Sequence, residues 1–227
     1  MSIKNSLETI HKELDNTNCK LIAVSKTKPN EAIKAAYDVG QRHFGENKAQ
    51  ELASKYEALP NDINWHMIGH LQRNKVKYIA PFVHLIHGVD SERLLIAINK
   101  EAMKCNRIID CLLQIHIATE STKFGFDEVE LNEFLNSDRL SILKNINLIG
   151  LMGMATNTTD LEQVKNEFVG LKTLSEKIKS KYNHSNLNLC ELSMGMSGDY
   201  KIALEAGSTM VRIGSTIFGA RQYGLVK

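Results

Sequence analysis

The chain has 227 residues, of which 43% are hydrophobic and 24% are charged, and these are the proportions of an ordinary globular protein. Its formal net charge of +2 is too small for a dedicated nucleic-acid binder, and we interpret the basic run at 73–77 as a solvated helix face. The sequence has no apolar stretch long enough to span a membrane, no apolar signal core at its N-terminus and only scattered cysteines. We therefore expect a cytoplasmic protein that binds neither membranes nor nucleic acid.

The first predicted element is a polar amphipathic helix at about residues 3–15, and eight apolar segments follow it. We predict that these segments are strands, because several are nearly continuous apolar runs, as in strands that are buried on both faces of a parallel sheet. In chain order the predicted strands cover residues 20–26, 43–47, 64–69, 84–89, 110–117, 147–154, 188–195 and 209–218.

The segments between the predicted strands carry helix signals. A helix begins after Pro29 and ends at Gly40, Ser91 is placed to cap another helix, and Thr159 with Glu162 forms a capping-box pattern before a third. Strands that alternate with helices favour right-handed βαβ units and a parallel sheet. We therefore predict the α/β class, with a single (β/α)₈ barrel of the TIM type over residues 1–227 and an additional N-terminal helix.

Functional residues of such a barrel lie at the carboxyl ends of the strands, and Lys26 ends the first of them. The period of two places Lys26 on the same side as Ile22 and Val24, at an apolar mouth where partial desolvation favours the neutral, nucleophilic amine. This chemistry suits a Schiff base with a carbonyl compound. Two alternatives remain: Lys26 only packs its stem at the rim, or Lys28 is the nucleophile, although Pro29 favours a loop there.

The last two predicted strands indicate an anion site. Ser193 and Ser197 lie at the end of strand seven and lead into a helix predicted to begin near Gly198, and Gly214 with Ser215 on strand eight allows close backbone approach. Closure of the barrel would bring this region and Arg212 next to the reactive lysine, an arrangement that suits an aldehyde phosphate cofactor. The alternative is that these glycines and serines only form turns.

Five ordered motifs extend the pattern, namely AVSKTKP at 23–29, FGEN at 44–47, IGHLQRNK at 68–75, LSMGMS at 192–197 and VRIGSTIFG at 211–219. Together they resemble the pyridoxal phosphate homeostasis protein family, whose fold is that of the alanine racemase N-terminal barrel. The resemblance extends from about Leu21 to Arg221 and implies pyridoxal 5′-phosphate (PLP) as the cofactor.

The resemblance also implies roles for individual residues. Lys26 would be the Schiff-base lysine, Asn47 would lie near the cofactor ring, His70 would lie at the edge of the site, and Arg212 would face the pyridine nitrogen. The residues implied to hold the phosphate are Ser193, Ser197, Gly214 and Ser215, the last of which is more often threonine in the family.

The leading functional hypothesis is a non-catalytic protein that carries or buffers PLP in the cell. A guanidinium beside the pyridine nitrogen disfavours protonation of the ring, which is then a weak electron sink. The sequence ends at Lys227, so we do not expect the second, β-rich domain of the racemases. The implied partners are PLP, apo-enzymes that require it, and a second copy of the chain in a weak homodimer, if the protein is not a monomer.

Two enzymatic alternatives are weighed against the carrier. A weak amino-acid racemase would need acid/base groups on both faces of the substrate, with Lys26 on one face and His70 or Lys123 on the other. A metal-dependent barrel hydrolase would use histidines such as His66 and His70, but spaced histidines are a weak signal and we predict no metal ligands.

Overall fold

The computed structural model of the protein describes residues 2–120 and 124–220. Eight parallel strands pair in chain order, and the last pairs with the first, which confirms the predicted closed barrel. The strands are β1 (Lys20–Val24), β2 (His43–Glu46), β3 (Asn64–Met67), β4 (Leu85–Val89), β5 (Ile109–Gln114), β6 (Ile146–Met152), β7 (Leu187–Met196) and β8 (Met210–Ile213).

Helices connect the strands and form the outer layer. The predicted helix at 3–15 is confirmed as α1 (Ile3–Leu14), and short 3₁₀ helices occupy Arg73–Tyr78 and Leu140–Ile142. The other helices are α2 (Asn30–Asp38), α3 (Ala49–Ala58), α4 (Glu92–Lys104), α5 (Glu128–Leu135), α6 (Leu161–Lys181), α7 (Tyr200–Glu205) and α8 (Ser215–Phe218). Within the described parts of the chain, no helix combines the length and apolarity needed to cross a membrane.

Several predicted strand ends and one predicted helix cap were wrong. The first strand ends at Val24 rather than at residue 26, so Lys26 lies in the turn that follows β1, and the fifth strand ends at Gln114 rather than at residue 117. The eighth strand ends at Ile213 rather than at residue 218, because the backbone turns at Gly214 and the apolar run that follows forms α8. A short apolar run does not distinguish a buried strand from a buried helix. The cap of α6 is Asp160 rather than Thr159, since the Asp160 carboxylate accepts the amides of Glu162 and Gln163 at 3.1 Å.

The core has an outer and an inner part. The outer part fills the space between strands and helices, and its largest fully buried side chains include Trp65, Phe44 and Phe168. The inner part lies inside the barrel and consists of Ile22, Val24, Ile68, Leu85, Leu112, Met152 and Met210. Inward and outward residues alternate along the strands, as a closed barrel requires.

The interior of the barrel also holds buried histidines. His66 and His87 are fully buried, and desolvation lowers the pKa of both well below the ordinary value. Desolvation also lowers the pKa of the partly buried His43, to about 4. These rings are therefore neutral imidazoles at pH 7, and each can both donate and accept a hydrogen bond.

Gly150 lies where β6 and β7 come so close that a side chain has no room. A Cβ atom on Gly150 would overlap the backbone oxygen of Glu191 on β7. We expect Gly150→Ala to lower the free energy of unfolding by about 1–3 kcal/mol in urea denaturation, because the clash is with backbone rather than with a flexible side chain.

Gly170 provides the matched control. It lies inside α6 and a Cβ atom there would meet nothing within 4 Å. Gly170→Ala should raise the free energy of unfolding by about 0.5–1 kcal/mol, because alanine loses less backbone entropy on folding. Equal effects of the two substitutions would contradict the close approach of the strands.

Candidate functional site

A cavity of about 540 Å³ opens at the carboxyl ends of the strands. This volume is typical of sites for small ligands. The cavity is lined by Val24, Lys26, Lys28, Asn47, Ile68, Gly69, His70, Gln114, Phe124, Met154, Met196, Ser197, Gly198, Arg212, Gly214, Ser215 and Gly219.

The charged groups of the wall have one sign. Lys26, Lys28 and Arg212 are cationic, and among the described residues that line the cavity none is an aspartate or a glutamate. Hydroxyl groups and backbone amides complete the polar part of the wall, while Val24 and Ile68 provide apolar surface. The composition favours a small anionic ligand with an apolar body.

The backbone on both sides of Lys26 is fixed by a buried network. Lys55 of α3 donates to the Ser25 backbone oxygen at 2.9 Å and to carboxylate oxygens of Glu46 and Glu51 at 2.8 and 2.7 Å. Glu51 also accepts the amide of Thr27 at 2.6 Å. Thr27 has a φ of 64°, which a residue other than glycine adopts only when its surroundings hold it there.

Glu46 is the buried acid of this network. Its carboxylate accepts the Ser25 hydroxyl at 2.6 Å as well as the Lys55 ammonium. Burial raises the pKa of Glu46, and the charge of Lys55 and the hydrogen bonds from Lys55 and Ser25 oppose that rise. The ion pair is thus a structural support for the loop that carries Lys26.

The two candidate nucleophiles have different surroundings. Lys28 donates to the backbone oxygens of Phe218, Gly219 and Ala220 at 2.8, 3.1 and 3.3 Å, so its three ammonium protons hold the end of α8. The half-buried Lys26 lies in the wall between Val24 and the mouth, on the side predicted from the strand period. The wall therefore contains both candidate amines, and Lys26 has the position that the strand period predicted.

Arg212 lies at the floor of the cavity and is almost fully buried. Its guanidinium donates to the Ser193 hydroxyl at 2.7 Å and to the Gly153 backbone oxygen at 3.0 Å. Burial lowers the pKa of Arg212 to about 10, and the charge of Asp199 opposes the fall. The group is still a cation at neutral pH, and it can only donate hydrogen bonds.

Ser197, Gly214 and Ser215 come together at the side of the cavity next to β1. The Gly214 amide donates to the Ser197 hydroxyl at 3.2 Å, and Ser215 is the first residue of α8. A Cβ atom on Gly214 would lie 3.1 Å from the Val24 backbone oxygen, so glycine lets this segment approach β1 closely. The group offers two hydroxyls and backbone amides to one ligand.

His70 forms the opposite edge of the mouth. Its Nδ1 atom lies 2.7 Å from a carboxylate oxygen of Asp90, and its ring stacks on Phe124 with centroids 4.2 Å apart. Gln114 donates to the Phe124 backbone oxygen at 2.8 Å and so holds this aromatic residue in place. The predicted position of His70 at the edge agrees with this geometry.

The sequence is similar to known proteins over nearly its whole length. The family model for the alanine racemase N-terminal domain matches residues 1–222. Pyridoxal phosphate homeostasis proteins from Aquifex aeolicus and Synechocystis are each 40% identical, over 223 and 204 residues; the first match covers 96% of both chains, and the second covers 89% of this chain and 91% of the relative. The chain belongs to the pyridoxal phosphate homeostasis protein family.

Solved structures agree with this membership. PipY of Synechococcus elongatus PCC7942, solved with PLP bound, matches with a TM-score of 0.87 and 34% identity over 96% of this chain and all of that one. Alanine racemase from Bartonella henselae matches with a TM-score of 0.73 and 16% identity, over 96% of this chain and 60% of the racemase. The second likeness shows a shared barrel fold.

Seven of the eight predicted site residues line the cavity, and Ser193 is the exception. Ser193 is fully buried behind the wall, where its hydroxyl contacts Arg212 and lies 2.8 Å from Nδ1 of His87. Lys123, considered for a racemase, lies outside the described residues. The histidines considered for a hydrolase are divided between the mouth, where His70 lies, and the interior of the barrel, where His66 lies.

Several residues of the cavity wall and of its supporting network were not predicted from the sequence. Gln114 is a polar residue at the end of an apolar strand, and that contrast was a signal that could have found it. Phe124 and Met154 carried no signal, because exposed and buried apolar residues look alike in sequence. The Glu46–Lys55 pair joins a strand to a helix and was equally hidden.

We expect Lys55→Met to lower the free energy of unfolding by about 3–5 kcal/mol in urea at pH 7, because the substitution leaves Glu46 as a buried charge without a cation. One Glu46 oxygen already has no hydrogen-bond partner, so the remaining contacts cannot compensate. Exposed Lys34 on α2 is the control, and Lys34→Met should change stability by less than about 0.5 kcal/mol.

A second substitution separates charge from packing. Adding Glu46→Gln to Lys55→Met should restore part of the lost stability, since an amide is less costly to bury than a carboxylate. A loss below about 1 kcal/mol for Lys55→Met alone would show that the network does not support this loop.

Proposed function

We propose that this protein binds PLP covalently through the amine of Lys26 and acts as a non-catalytic carrier and buffer of the cofactor in the cytoplasm. The observation that carries the proposal is the meeting of two lysines, one buried arginine and a cluster of hydroxyls and amides in a single cavity, whose described lining residues include no carboxylate. Residues 1–227 would act as one cofactor-binding domain. Relatives named for pyridoxal phosphate homeostasis and PipY with PLP bound support the proposal.

The donor set fits the chemistry of the cofactor. When bound, PLP supplies an aldehyde that condenses with a primary amine, a phosphate dianion and an aromatic ring with a pyridine nitrogen. Lys26 provides the amine, and Arg212 provides a donor for the ring nitrogen. The phosphate would be held by Ser197, Gly214 and Ser215, and the ring would be bordered by Asn47 and His70.

Ser193 takes a different role from the one implied by the resemblance. Because it lies behind the cavity wall and accepts a hydrogen bond from Arg212, we assign it to positioning the guanidinium rather than to the phosphate. Its second neighbour is Nδ1 of His87, at 2.8 Å, and the tautomer of His87 decides which of the two groups donates the hydrogen bond.

Arg212 explains why binding need not lead to turnover. A guanidinium has no lone pair to accept a proton and keeps its positive charge at neutral pH. The pyridine nitrogen of a cofactor bound next to this cation would stay unprotonated, and the ring would then be a weak electron sink for carbanion chemistry. The residues favour retention of the cofactor over reaction on it.

The alternative, a weak amino-acid racemase, needs a proton donor or acceptor on each face of the substrate. Lys26 could act on one face. Among the described residues, His70 is the candidate acid or base for the other face. The His70 ring is held against Phe124 and Asp90 at the edge of the mouth.

Partners in the carrier role would be PLP and apo-enzymes that require it.

We expect the purified chain, incubated with PLP, to show a long-wavelength absorption band that borohydride removes, with the added mass on Lys26. Lys26→Ala should lose the band entirely, because Lys28, the other amine of the described wall, uses its ammonium protons to hold the backbone carbonyls at the end of α8. Exposed Lys34→Ala is the matched control and should behave as the wild type.

Label on Lys28, or an unchanged band in Lys26→Ala, would overturn the assignment. The loaded wild-type protein should also fail to exchange the α-proton of L-alanine with D₂O, as followed by NMR. Exchange that Lys26→Ala abolishes would favour the racemase over the carrier.

The role of Arg212 can be tested with a substitution that keeps its charge. Arg212→Lys loses the planar fork that reaches Ser193 and Gly153, so we expect PLP to bind about 10-fold more weakly in equilibrium dialysis, equivalent to about 1.4 kcal/mol. Arg93→Lys, at an exposed position of α4, is the control. Unchanged affinity in Arg212→Lys would show that the fork does not contribute to binding.

A further inference from the structure

Three histidines meet at the end of the barrel opposite the cavity. His43 is the first residue of β2, His84 immediately precedes β4, and His66 lies on β3 between them. His66 is buried, His43 is partly buried and His84 is exposed, so the cluster is reached from solvent at the amino-terminal rim. None of the three lines the cofactor cavity.

The spacing of the three rings matches coordination of one ion. One nitrogen from each ring can be chosen so that all three lie within 4.8 Å of one another. The ring centroids are 5.2, 5.2 and 5.6 Å apart. Imidazoles bound tetrahedrally with metal–nitrogen distances of about 2.0–2.1 Å have centroids roughly 5 Å apart, so the observed triangle is the expected one.

The ligand nitrogens are also close to the required separation. Nδ1 of His43 lies 2.9 Å from Nε2 of His66. Two nitrogens on one tetrahedral ion are about 3.3 Å apart, so a movement of a few tenths of an ångström converts the hydrogen-bonded pair into a pair of ligands. The hydrogen bond holds one proton between these two nitrogens, and on coordination that proton would move to the other nitrogen of its own ring, so the change of tautomer releases no proton from the pair.

The structure also provides an outer layer of support for these ligands. Nδ1 of His66 lies 2.9 Å from Nε2 of His87, and Nδ1 of His87 lies 2.8 Å from the Ser193 hydroxyl. With an ion on Nε2, His66 would donate its Nδ1 proton to His87, and His87 would donate to Ser193. Metal-bound histidines in proteins almost always have such a partner for the second nitrogen, which fixes the ring.

We propose that His43, His66 and His84 form a binding site for a divalent transition-metal ion of the class that prefers imidazole, with Zn²⁺ as the representative. The fourth position faces solvent and is filled by water. The surrounding charge is mixed: Lys20 and Arg107 disfavour a cation near the cluster, whereas Glu191 and Asp110 favour one. Lys20 already pairs with Glu191, which reduces its repulsion.

The test uses the full chain without a histidine tag, stripped with a chelator and titrated with Zn²⁺ by calorimetry. We expect one equivalent of Zn²⁺ to bind to the wild type and to raise the melting temperature by about 5 °C at saturation. His84→Ala should weaken binding by at least about 100-fold, because loss of a ligand costs more than loss of an outer partner. Co²⁺ should give the visible bands of a tetrahedral complex.

Two further variants make the result decisive. His11→Ala removes an exposed imidazole from α1 and should bind Zn²⁺ as the wild type does. His43→Ala should lose binding as His84→Ala does, and both variants should still take up PLP, which separates this site from the cofactor cavity. Failure of the wild type to bind one equivalent, or equal binding by wild type and His84→Ala, would overturn the proposal.

Discussion

The pairing of β1 with β8 decides what the cavity contains. Ile22 lies opposite Arg212 and Ala23 opposite Ile213, so the two ends of the chain contribute neighbouring residues to one wall. Because side chains alternate between the faces of a strand, a slip of one residue would turn Arg212 out of the barrel and bring an apolar residue in. The lysine, the arginine and the hydroxyl cluster form a site only in this register.

The second constraint is the cost of removing polar side chains from water inside the barrel. Hydrogen bonds between these side chains offset that cost. Arg212, Ser193, His87 and His66 form a continuous chain in which each buried group has a partner. Unpaired, any one of them would be costly to bury. The chain runs from the cofactor cavity at one end of the barrel to the histidine cluster at the other, so the supports of the two sites share members.

The period of two correctly placed Lys26, two residues beyond the end of β1, in the wall of the cavity. The order of apolar and amphipathic segments was enough to predict the barrel. The sequence alone provided no reason in side-chain contacts to prefer Lys26 over Lys28, because the carbonyls that Lys28 contacts belong to the far end of the sequence. Ser193 shows the limit of a motif. The motif placed it near the phosphate, whereas its depth in β7 puts it beneath Arg212.

By itself, the sequence determined the strand and helix order, the family and the inward-facing side of Lys26, because periodicity and ordered motifs are local properties of the chain. The tertiary structure alone decided that Lys55 of α3 would support Glu46, and that His43, His66 and His84 would meet. These residues come from different elements, and alternation fixes only which face a side chain occupies. Which side chains become neighbours depends on the stagger between strands, and that is set when the barrel closes.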